Sequence, residues 1–126
     1  MYVDASAFVK LVLVEAETPA LVAALKGVQL LVASQILEVE VLRATHRGGG
    51  DVALARAQLA VVRLLPLSEG IRRHASALTP SSVRSLDAIH IATALSLGER
   101  IDGLYTYDER MSDAAREAGL DVSAPA

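Results

Sequence analysis

The sequence predicts an α/β fold in which a parallel β-sheet is covered by helices on both faces. Short apolar segments alternate along the chain with longer segments that carry helix start and stop signals. The apolar segments do not alternate apolar and polar residues, which is typical of strands buried on both faces of a parallel sheet. The chain has 126 residues and no repeats or linker-like stretches, so we expect a single domain over residues 1–126.

Five segments are predicted strands, because each is short and apolar and is bounded by turn or capping residues. In chain order they cover residues 1–3, 28–33, 64–67, 101–106 and 121–123.

Seven further segments are predicted helices, and most of them begin at a residue that suits an N-cap. Thr18 and Pro19 begin the second helix, because threonine suits the cap and proline the first helical position. The predicted helices cover residues 5–14, 18–27, 34–47, 51–63, 68–78, 85–97 and 108–119, and the last five start at the predicted caps Ser34, Asp51, Ser68, Ser85 and Asp108.

The composition indicates a soluble, cytoplasmic protein. The chain contains no cysteine, which excludes disulfides and thiolate metal sites and fits a reducing compartment. The first residues do not resemble a signal peptide, because Asp4 stands where a basic residue is expected and Lys10 divides the apolar run. No stretch reaches the ~20 apolar residues that are needed to cross a membrane.

The charge is unevenly distributed, although the net charge is only −3. Residues 43–84 contain seven basic residues and two acids, a net charge of +5, whereas the remainder carries −8. The seven are Arg43, Arg47, Arg56, Arg63, Arg72, Arg73 and Arg84. A basic segment in an otherwise acidic chain suits phosphate binding beside a metal site. For any single arginine, a solvated helix face is the more ordinary explanation.

Four carboxylates lie at the edges of apolar segments, where solvated charges are not expected: Asp4, Glu40, Asp87 and Asp108. Asp4 and Asp108 follow predicted strands, so they belong at the carboxyl edge of the sheet, where such folds place their active sites. The other two must reach that edge from helices. Clustered carboxylates repel one another and require a cation, usually a hard divalent metal with oxygen ligands. The pattern therefore indicates a metal-dependent enzyme that acts on phosphate esters.

Each carboxylate also has a structural explanation. Asp4 and Asp108 suit helix N-caps, and Asp87 suits the first turn of a helix, where it complements the helix dipole. Glu40 lies on an apolar sector of its helix, but Glu38 lies on another, and periodicity does not choose between them.

Several neighbouring residues suit supporting roles. Arg43 lies three residues after Glu40, where an ion pair is the ordinary outcome and a phosphate contact the alternative. Ser6 and Thr106 lie two residues from Asp4 and Asp108, so their hydroxyls suit either helix capping or a bond to a carboxylate or a metal-bound water. His90, three residues after Asp87, is more ordinary as a packing residue than as a general base.

Four sequence motifs, in the same order along nearly the whole chain, resemble those of a known family. The first is Tyr2-Val3-Asp4-Ala5-Ser6-Ala7 with Lys10-Leu11, and the second is Val39-Glu40-Val41-Leu42-Arg43-Ala44. The third is Leu86-Asp87-Ala88-Ile89-His90-Ile91-Ala92-Thr93-Ala94, and the fourth is Thr106-Tyr107-Asp108, followed by Ala114-Ala115 and Gly119-Leu120. With them the chain resembles PIN-domain proteins, specifically the VapC-type toxin ribonucleases of bacterial toxin–antitoxin pairs. The resemblance implies a three-layer α/β/α sandwich with a mostly parallel central sheet. It also implies metal-dependent RNA cleavage, a cognate antitoxin that blocks the site, and a homodimer.

The resemblance also implies roles for the acidic residues. It assigns Asp4, Glu40, Asp87 and Asp108 to a catalytic, metal-binding quartet, and it favours Glu40 over Glu38 because Glu40 precedes Leu42-Arg43-Ala44. We expect Mg²⁺, or alternatively Mn²⁺, held mainly by Asp4 and Asp87. A water molecule activated by the metal would hydrolyse the phosphodiester, with Glu40 or Asp108 orienting that water.

Two other kinds of α/β protein, a receiver domain of a signalling relay and a phosphatase, are excluded by the sequence. A receiver domain needs an adjacent acidic pair after the first strand and a lysine after a late strand, but Asp4 stands alone and the only lysines are Lys10 and Lys26. A phosphatase with an Asp-x-Asp pair is excluded because Ser6 occupies the second position. The alternative that remains is a non-catalytic PIN-like module that acts by binding RNA or an antitoxin.

Overall fold

A computed structural model describes residues 1–126 and contains one five-stranded sheet in which all the strands are parallel. The strands are β1 (Tyr2–Val3), β2 (Val32–Ser34), β3 (Arg63–Leu65), β4 (Leu104–Tyr105) and β5 (Val122–Ser123). Their order across the sheet is β3-β2-β1-β4-β5. The predicted α/β class with a parallel sheet is confirmed.

The helices form two groups that pack on opposite faces of this sheet. They are α1 (Ala5–Phe8), α2 (Thr18–Leu25), α3 (Ile36–Arg47), α4 (Val52–Leu59), α5 (Glu69–Ala77), α6 (Ser85–Leu97) and α7 (Glu109–Glu117). With the right-handed crossovers usual in such sheets, the strand order places α1–α4 on one face and α5–α7 on the other, and the most extensive contacts between helices fall within these groups. This arrangement is the predicted three-layer α/β/α sandwich. None of the helices combines the length and the hydrophobicity that a membrane crossing requires.

Four of the predicted helix caps form as expected. The side chains of Asp4, Asp51, Ser68 and Asp108 each accept a hydrogen bond from the backbone amide three residues later. These bonds satisfy amides that have no partner inside the helix.

Three other predicted caps are wrong, because their side chains or positions are used otherwise. The Thr18 hydroxyl accepts from the Glu15 amide and donates to the Lys10 carbonyl, and Glu17 occupies the cap position. Ser34 is the last residue of β2. Ser85 is already helical, and the residue before it occupies the cap position without a side-chain bond.

The first helix is shorter than the predicted 5–14. After Phe8 the chain makes a 3₁₀ turn over Val9–Leu11, and the Lys10 carbonyl accepts from the Thr18 hydroxyl, so the helix does not continue. The buried Lys10 ammonium forms ion pairs with Glu15 and Glu17, which fixes the loop that follows.

The predicted strands are also too long. The amide of Val32 is the first in its segment to bond to the β1 side of the sheet, whereas Val28 still bonds back to the end of α2. Residues 28–31 therefore belong to the connection rather than to the strand. Likewise, β4 covers only Leu104–Tyr105 of the predicted 101–106, and β3 begins at Arg63 and ends at Leu65.

The sheet positions the site through its central strand, β1. Tyr2 is paired with Val32 of β2 on one side and with Leu104 of β4 on the other. From β1 the chain builds outward through β2 and β3, then returns to add β4 on the opposite side of β1. The carboxyl ends of β1 and β4 thus flank the switch point of the topology, where α/β folds form their binding crevice.

Candidate active site

A cavity of about 410 Å³ lies at this switch point and is lined by all four predicted carboxylates, Asp4, Glu40, Asp87 and Asp108. A cavity of similar size, about 400 Å³, lies between α5 and α6, but no carboxylate lines it. Of these two cavities, only the first therefore has the acidic residues that a metal site requires.

Asp4 is the most enclosed of the four, with 4% of its surface exposed. Its Oδ1 accepts hydrogen bonds from the Ser6 hydroxyl (2.7 Å) and the Ala7 amide (3.0 Å), and its Oδ2 accepts one from the Thr106 hydroxyl. Since each hydroxyl has one proton and gives it to Asp4, the 3.1 Å contact between the two hydroxyl oxygens carries no proton of its own.

The two hydroxyls are themselves held by the backbone after β4. The Ser6 oxygen accepts from the Tyr107 amide (2.9 Å), and the Thr106 oxygen accepts from the Asp108 amide (3.2 Å). Their proton directions are therefore fixed toward Asp4. Of the two roles predicted for Ser6 and Thr106, the structure shows the bond to a carboxylate.

Burial raises the pKa of Asp4, and the hydrogen bonds from Thr106, Ser6 and Ala7 oppose that rise. A carboxylate held in this way is costly to ionise and is fixed in orientation. A nearby positive charge would relieve the cost.

Asp87 lies in the first turn of α6, half-buried and without any hydrogen bond from the protein to its side chain. Burial raises its pKa, and the negative charges of Asp108 and Asp4 raise it further. The repulsion expected from clustered carboxylates is therefore present.

Asp108 combines a structural position with a free oxygen. Its Oδ1 caps α7 by accepting from the Met111 amide at 3.0 Å, and its Oδ2 has no partner in the protein. A cap and a ligand are thus compatible roles for this residue.

Glu40 reaches the cavity from α3, whereas Glu38 on the same helix is exposed. The Glu40 Oε1 lies 2.6 Å from Nε2 of His90. The other ring nitrogen of His90, Nδ1, lies 2.6 Å from the Tyr2 hydroxyl. Burial raises the pKa of the Tyr2 hydroxyl, which therefore keeps its proton.

The predicted ion pair between Glu40 and Arg43 is wrong, because Glu40 turns to His90 and Arg43 is exposed without an acidic partner.

The donor set suits a hard divalent cation, since it consists of carboxylate oxygens with one free oxygen on Glu40, one on Asp108 and two on Asp87. No three of the histidine, aspartate and glutamate side chains lie close enough to hold one ion together. Mg²⁺ commonly binds through one or two carboxylates and keeps several of its waters. The residues present therefore fit an ion that retains part of its hydration shell.

Arginines lie in two grooves that adjoin the cavity, together with acidic side chains. A groove of about 490 Å³ with Arg43 and Arg47 in its wall shares Ser6 and Glu40 with the cavity. Arg84 lines the cavity itself and, together with Arg110, a second adjoining groove of about 340 Å³. Glu15 and Glu40 line the first groove, and Asp87, Asp113 and Glu117 line the second.

The remaining members of the basic segment lie elsewhere. Arg72 donates to the carbonyl of Leu67, and Arg73 forms an ion pair with Glu69. Arg56 and Arg63 line neither the cavity nor its grooves. Only part of the predicted basic patch therefore adjoins the carboxylates.

The sequence did not predict the hydrogen bonds that link the side chains of Tyr2, His90 and Glu40. Two signals for them exist: Tyr2 precedes Asp4 by two residues, which places both side chains on one face of β1, and His90 follows Asp87 by three, which places both on one side of α6. The link to Glu40 has no local signal, because 50 residues separate Glu40 from His90.

Comparison with known proteins places the chain in a family. The model of the PIN domain family matches residues 1–117. Among curated proteins, Ribonuclease VapC46 of Mycobacterium tuberculosis (strain ATCC 25618 / H37Rv) is 41% identical over 126 residues, which cover 99% of this chain and 97% of that protein. Ribonuclease VapC47 of M. tuberculosis (strain CDC 1551 / Oshkosh) is 35% identical over 131 residues, with 99% and 96% covered.

A solved structure shares the fold. The crystal structure of M. tuberculosis VapC20, described as a sarcin-ricin loop cleaving toxin, aligns with a TM-score of 0.70 over 98% of both chains, at 20% sequence identity. The order of the motifs, the parallel sheet and these similarities agree with one another. The chain therefore belongs to the PIN-domain family, and within it to the VapC-type toxins.

Proposed function

We propose that the protein is a divalent-metal-dependent endoribonuclease that hydrolyses RNA phosphodiester bonds, and that it is the toxin of a toxin–antitoxin pair. The observation that carries the proposal is the convergence of Asp4, Glu40, Asp87 and Asp108 on one cavity at the switch point of the sheet. The curated relatives are named ribonucleases, which supports RNA as the substrate.

The metal would be held mainly by Asp4 and Asp87, with Glu40 and Asp108 beside it. Mg²⁺ suits this set of oxygens, and Mn²⁺ is the alternative. When bound, such an ion lowers the pKa of a water molecule and neutralises charge that develops on the phosphate. The raised pKa values of Asp4 and Asp87 support this placement, because a cation offsets the cost of keeping both ionised.

The side chains of the protein supply orientation. Ser6 and Thr106 hold the Asp4 carboxylate in one position, so that its remaining lone pair on Oδ2 has a fixed direction. Glu40 and Asp108 each keep one oxygen free to accept a hydrogen bond from the attacking water. The attack is on phosphorus, and the leaving group is the ribose oxygen of the next nucleotide.

RNA would cross the cavity along its arginine-lined flanks. Arg43 and Arg47 lie on one side of the carboxylates, and Arg84 and Arg110 on the other. Phosphates next to the scissile one would bind these side chains, since arginine forms paired hydrogen bonds with phosphate oxygens. The chain has only four aromatic residues, so we assign binding to the RNA backbone rather than to base stacking.

The decisive test is RNA cleavage by purified protein with and without EDTA. We expect cleavage that EDTA abolishes and Mn²⁺ or Mg²⁺ restores. Glu40→Gln and Asp87→Asn should lose at least about a hundredfold in rate, as expected when a group that stabilises the transition state is removed. The matched controls are Glu38→Gln on the same helix and Asp102→Asn, both at exposed positions.

Two outcomes would contradict the proposal. Cleavage that continues in EDTA would exclude the metal, and cleavage by Asp4→Asn at the rate of the wild type would exclude the assigned site. If RNA is bound but not cleaved under any of these conditions, the non-catalytic binding module becomes the better description.

We also propose a cognate antitoxin and a homodimer. The groove beside the cavity is lined by the exposed apolar side chains of Val39 and Leu86, together with Arg43, Arg47 and Glu15. A partner segment with apolar and acidic side chains suits this groove and would block entry to the cavity. To test the antitoxin, co-expression with the product of the adjacent reading frame should give a stable complex without RNase activity. To test the homodimer, light scattering on the isolated protein should give twice the mass of one chain, which is 13.3 kDa.

A further inference from the structure

We propose that His90 is a positioning residue, which holds Glu40 at the cavity through a hydrogen-bonded chain that begins at the backbone of β2. The chain runs from the Ser34 amide to the Tyr2 hydroxyl, then to the imidazole of His90 and finally to the carboxylate of Glu40. This inference rests on the proposed function, in which Glu40 belongs to the acidic cluster.

The geometry of His90 is that of a fully engaged side chain. It lies in the middle of α6 and has 1% of its surface exposed. Its Nδ1 lies 2.6 Å from the Tyr2 hydroxyl and its Nε2 lies 2.6 Å from Oε1 of Glu40. The rings of Tyr2 and His90 meet edge-on, with their centroids 5.7 Å apart and their planes at 79°. Both ring nitrogens are therefore satisfied, and one of their two partners is the carboxylate at the cavity.

For a neutral imidazole, the donors and acceptors give one direction for each bond in the chain. Glu40, when ionised, can only accept, so Nε2 of His90 carries the proton. In the neutral imidazole Nδ1 is then an acceptor, and the Tyr2 hydroxyl donates its single proton to it. The Tyr2 oxygen accepts in turn from the Ser34 amide at 2.9 Å. Acceptance by Glu40 thus selects the tautomer of His90, and the bonds from Tyr2 and the Ser34 amide are compatible with it.

Glu40 needs such support more than Asp4 and Asp108 do. Asp4 and Asp108 are short side chains held by helix caps, whereas glutamate has three rotatable bonds, and the Glu40 side chain is 22% exposed. The bond from His90 uses Oε1 and leaves Oε2 free at the cavity. Groups that orient the carboxylates around a metal in this way typically contribute about 10–100-fold in metal affinity or activity.

Two substitutions separate this role from packing. In His90→Gln the amide nitrogen takes the place of Nε2 and still donates to Glu40, but the acceptor for Tyr2 is lost. In His90→Asn an acceptor for Tyr2 remains near Nδ1, but nothing reaches Glu40. Both variants remove buried ring atoms, so a purely structural role predicts similar losses in both.

The experiment measures RNA cleavage, Mn²⁺ affinity by calorimetry and thermal stability for the wild type, both His90 variants and the exposed control His74→Asn. We expect His90→Asn to lose about 10–100-fold in kcat and in Mn²⁺ affinity. We expect His90→Gln to recover most of both losses, despite a comparable fall in melting temperature. Combining His90→Asn with Glu40→Gln should cost no more than Glu40→Gln alone, because the two residues act as a unit.

A direct readout comes from ¹⁵N NMR of the imidazole, which should show the proton on Nε2 in the wild type and a shift toward the other tautomer in Glu40→Ala, which lacks the acceptor. If His90→Asn matched the wild type in kcat and in Mn²⁺ affinity, the positioning role would be overturned while the proposed function stood. A wild-type protein that neither cleaves RNA nor binds Mn²⁺ would instead overturn the proposed function. In that case the NMR spectrum still decides whether the hydrogen-bonded chain exists.

Discussion

The hydroxyl of Thr106 donates a hydrogen bond to Oδ2 of Asp4, although the two residues are 102 positions apart in the chain. Thr106 comes directly after β4, and Asp4 comes directly after β1. The same hydroxyl accepts from the amide of Asp108. Thr106 therefore links the two strand ends that flank the site and fixes the carboxylate of one relative to the backbone of the other.

Replacing Thr106 with valine, which has nearly the same shape, tests this link. The substitution leaves the Asp108 amide without its acceptor and removes one donor from a buried carboxylate, so we expect a loss of about 1–3 kcal/mol in the free energy of unfolding. Urea denaturation measures the loss, and Thr106→Ser, which keeps the hydroxyl, is the control. Equal losses in both variants would show that the methyl group rather than the hydroxyl matters here.

Asp87→Asn should make the metal-free protein more stable at neutral pH while reducing RNA cleavage. Burial and the charges of Asp108 and Asp4 raise the pKa of Asp87 in the folded state, so its ionisation opposes folding. Because the residue is only half-buried, the expected gain is at most about 1 kcal/mol.

The stability gain of Asp87→Asn should also depend on pH in a defined direction. Below the ordinary carboxyl pKa of about 4, Asp87 is protonated in both states and does not oppose folding. As the pH rises through its folded-state pKa, the unfavourable ionisation of Asp87 lowers the free energy of unfolding of the wild type. The difference between Asp87→Asn and the wild type should therefore be absent near pH 3 and open as the pH rises. Thermal unfolding across this range, with Asp102→Asn as the control, measures the difference, and a gap that closes with rising pH would contradict the assignment.

Divalent metal should raise the melting temperature of the wild type and EDTA should reverse the increase. An ion that binds only the folded state contributes about 2.7 kcal/mol at a concentration of one hundred times its Kd. Scanning fluorimetry against Mn²⁺ concentration measures the effect. The response should be lost in Asp4→Asn and kept in Glu38→Gln, and an unchanged response in Asp4→Asn would place the ion elsewhere.

The arginines beside the cavity should control RNA affinity through phosphate contacts. Measured in an Asp4→Asn background to prevent cleavage, Arg43→Gln and Arg84→Gln should each weaken binding. Each should also reduce the slope of log K against log salt by about 0.7 for a single-stranded RNA. Arg56→Gln is the matched control, since Arg56 lies outside the cavity and its grooves. A change of the same size in the control would point to general electrostatic attraction.

The placement of Asp4 and Asp108 follows from the sequence alone, because both residues come directly after strands of a parallel sheet, and such strands end at one edge. The choice between Glu38 and Glu40 does not follow from helical periodicity, because it depends on how α3 is rotated against α6. The predicted pair of Glu40 with Arg43 failed for the same reason, since a tertiary partner, His90, outcompeted a local one. The predicted strand bounds also differ from the observed ones, because the apolar residues of each segment extend beyond the residues that form sheet hydrogen bonds.

The neighbouring positions of β1 and β4 in the sheet have a consequence for biosynthesis. During translation, Thr106, which fixes the carboxylate of Asp4, is made 102 residues after it. A nascent chain that has not yet produced β4 cannot pair that strand with β1, and it lacks Asp108 altogether. The complete acidic cluster therefore arises only after β4 and Asp108 have been made, so incomplete translation products that stop before β4 carry no assembled site.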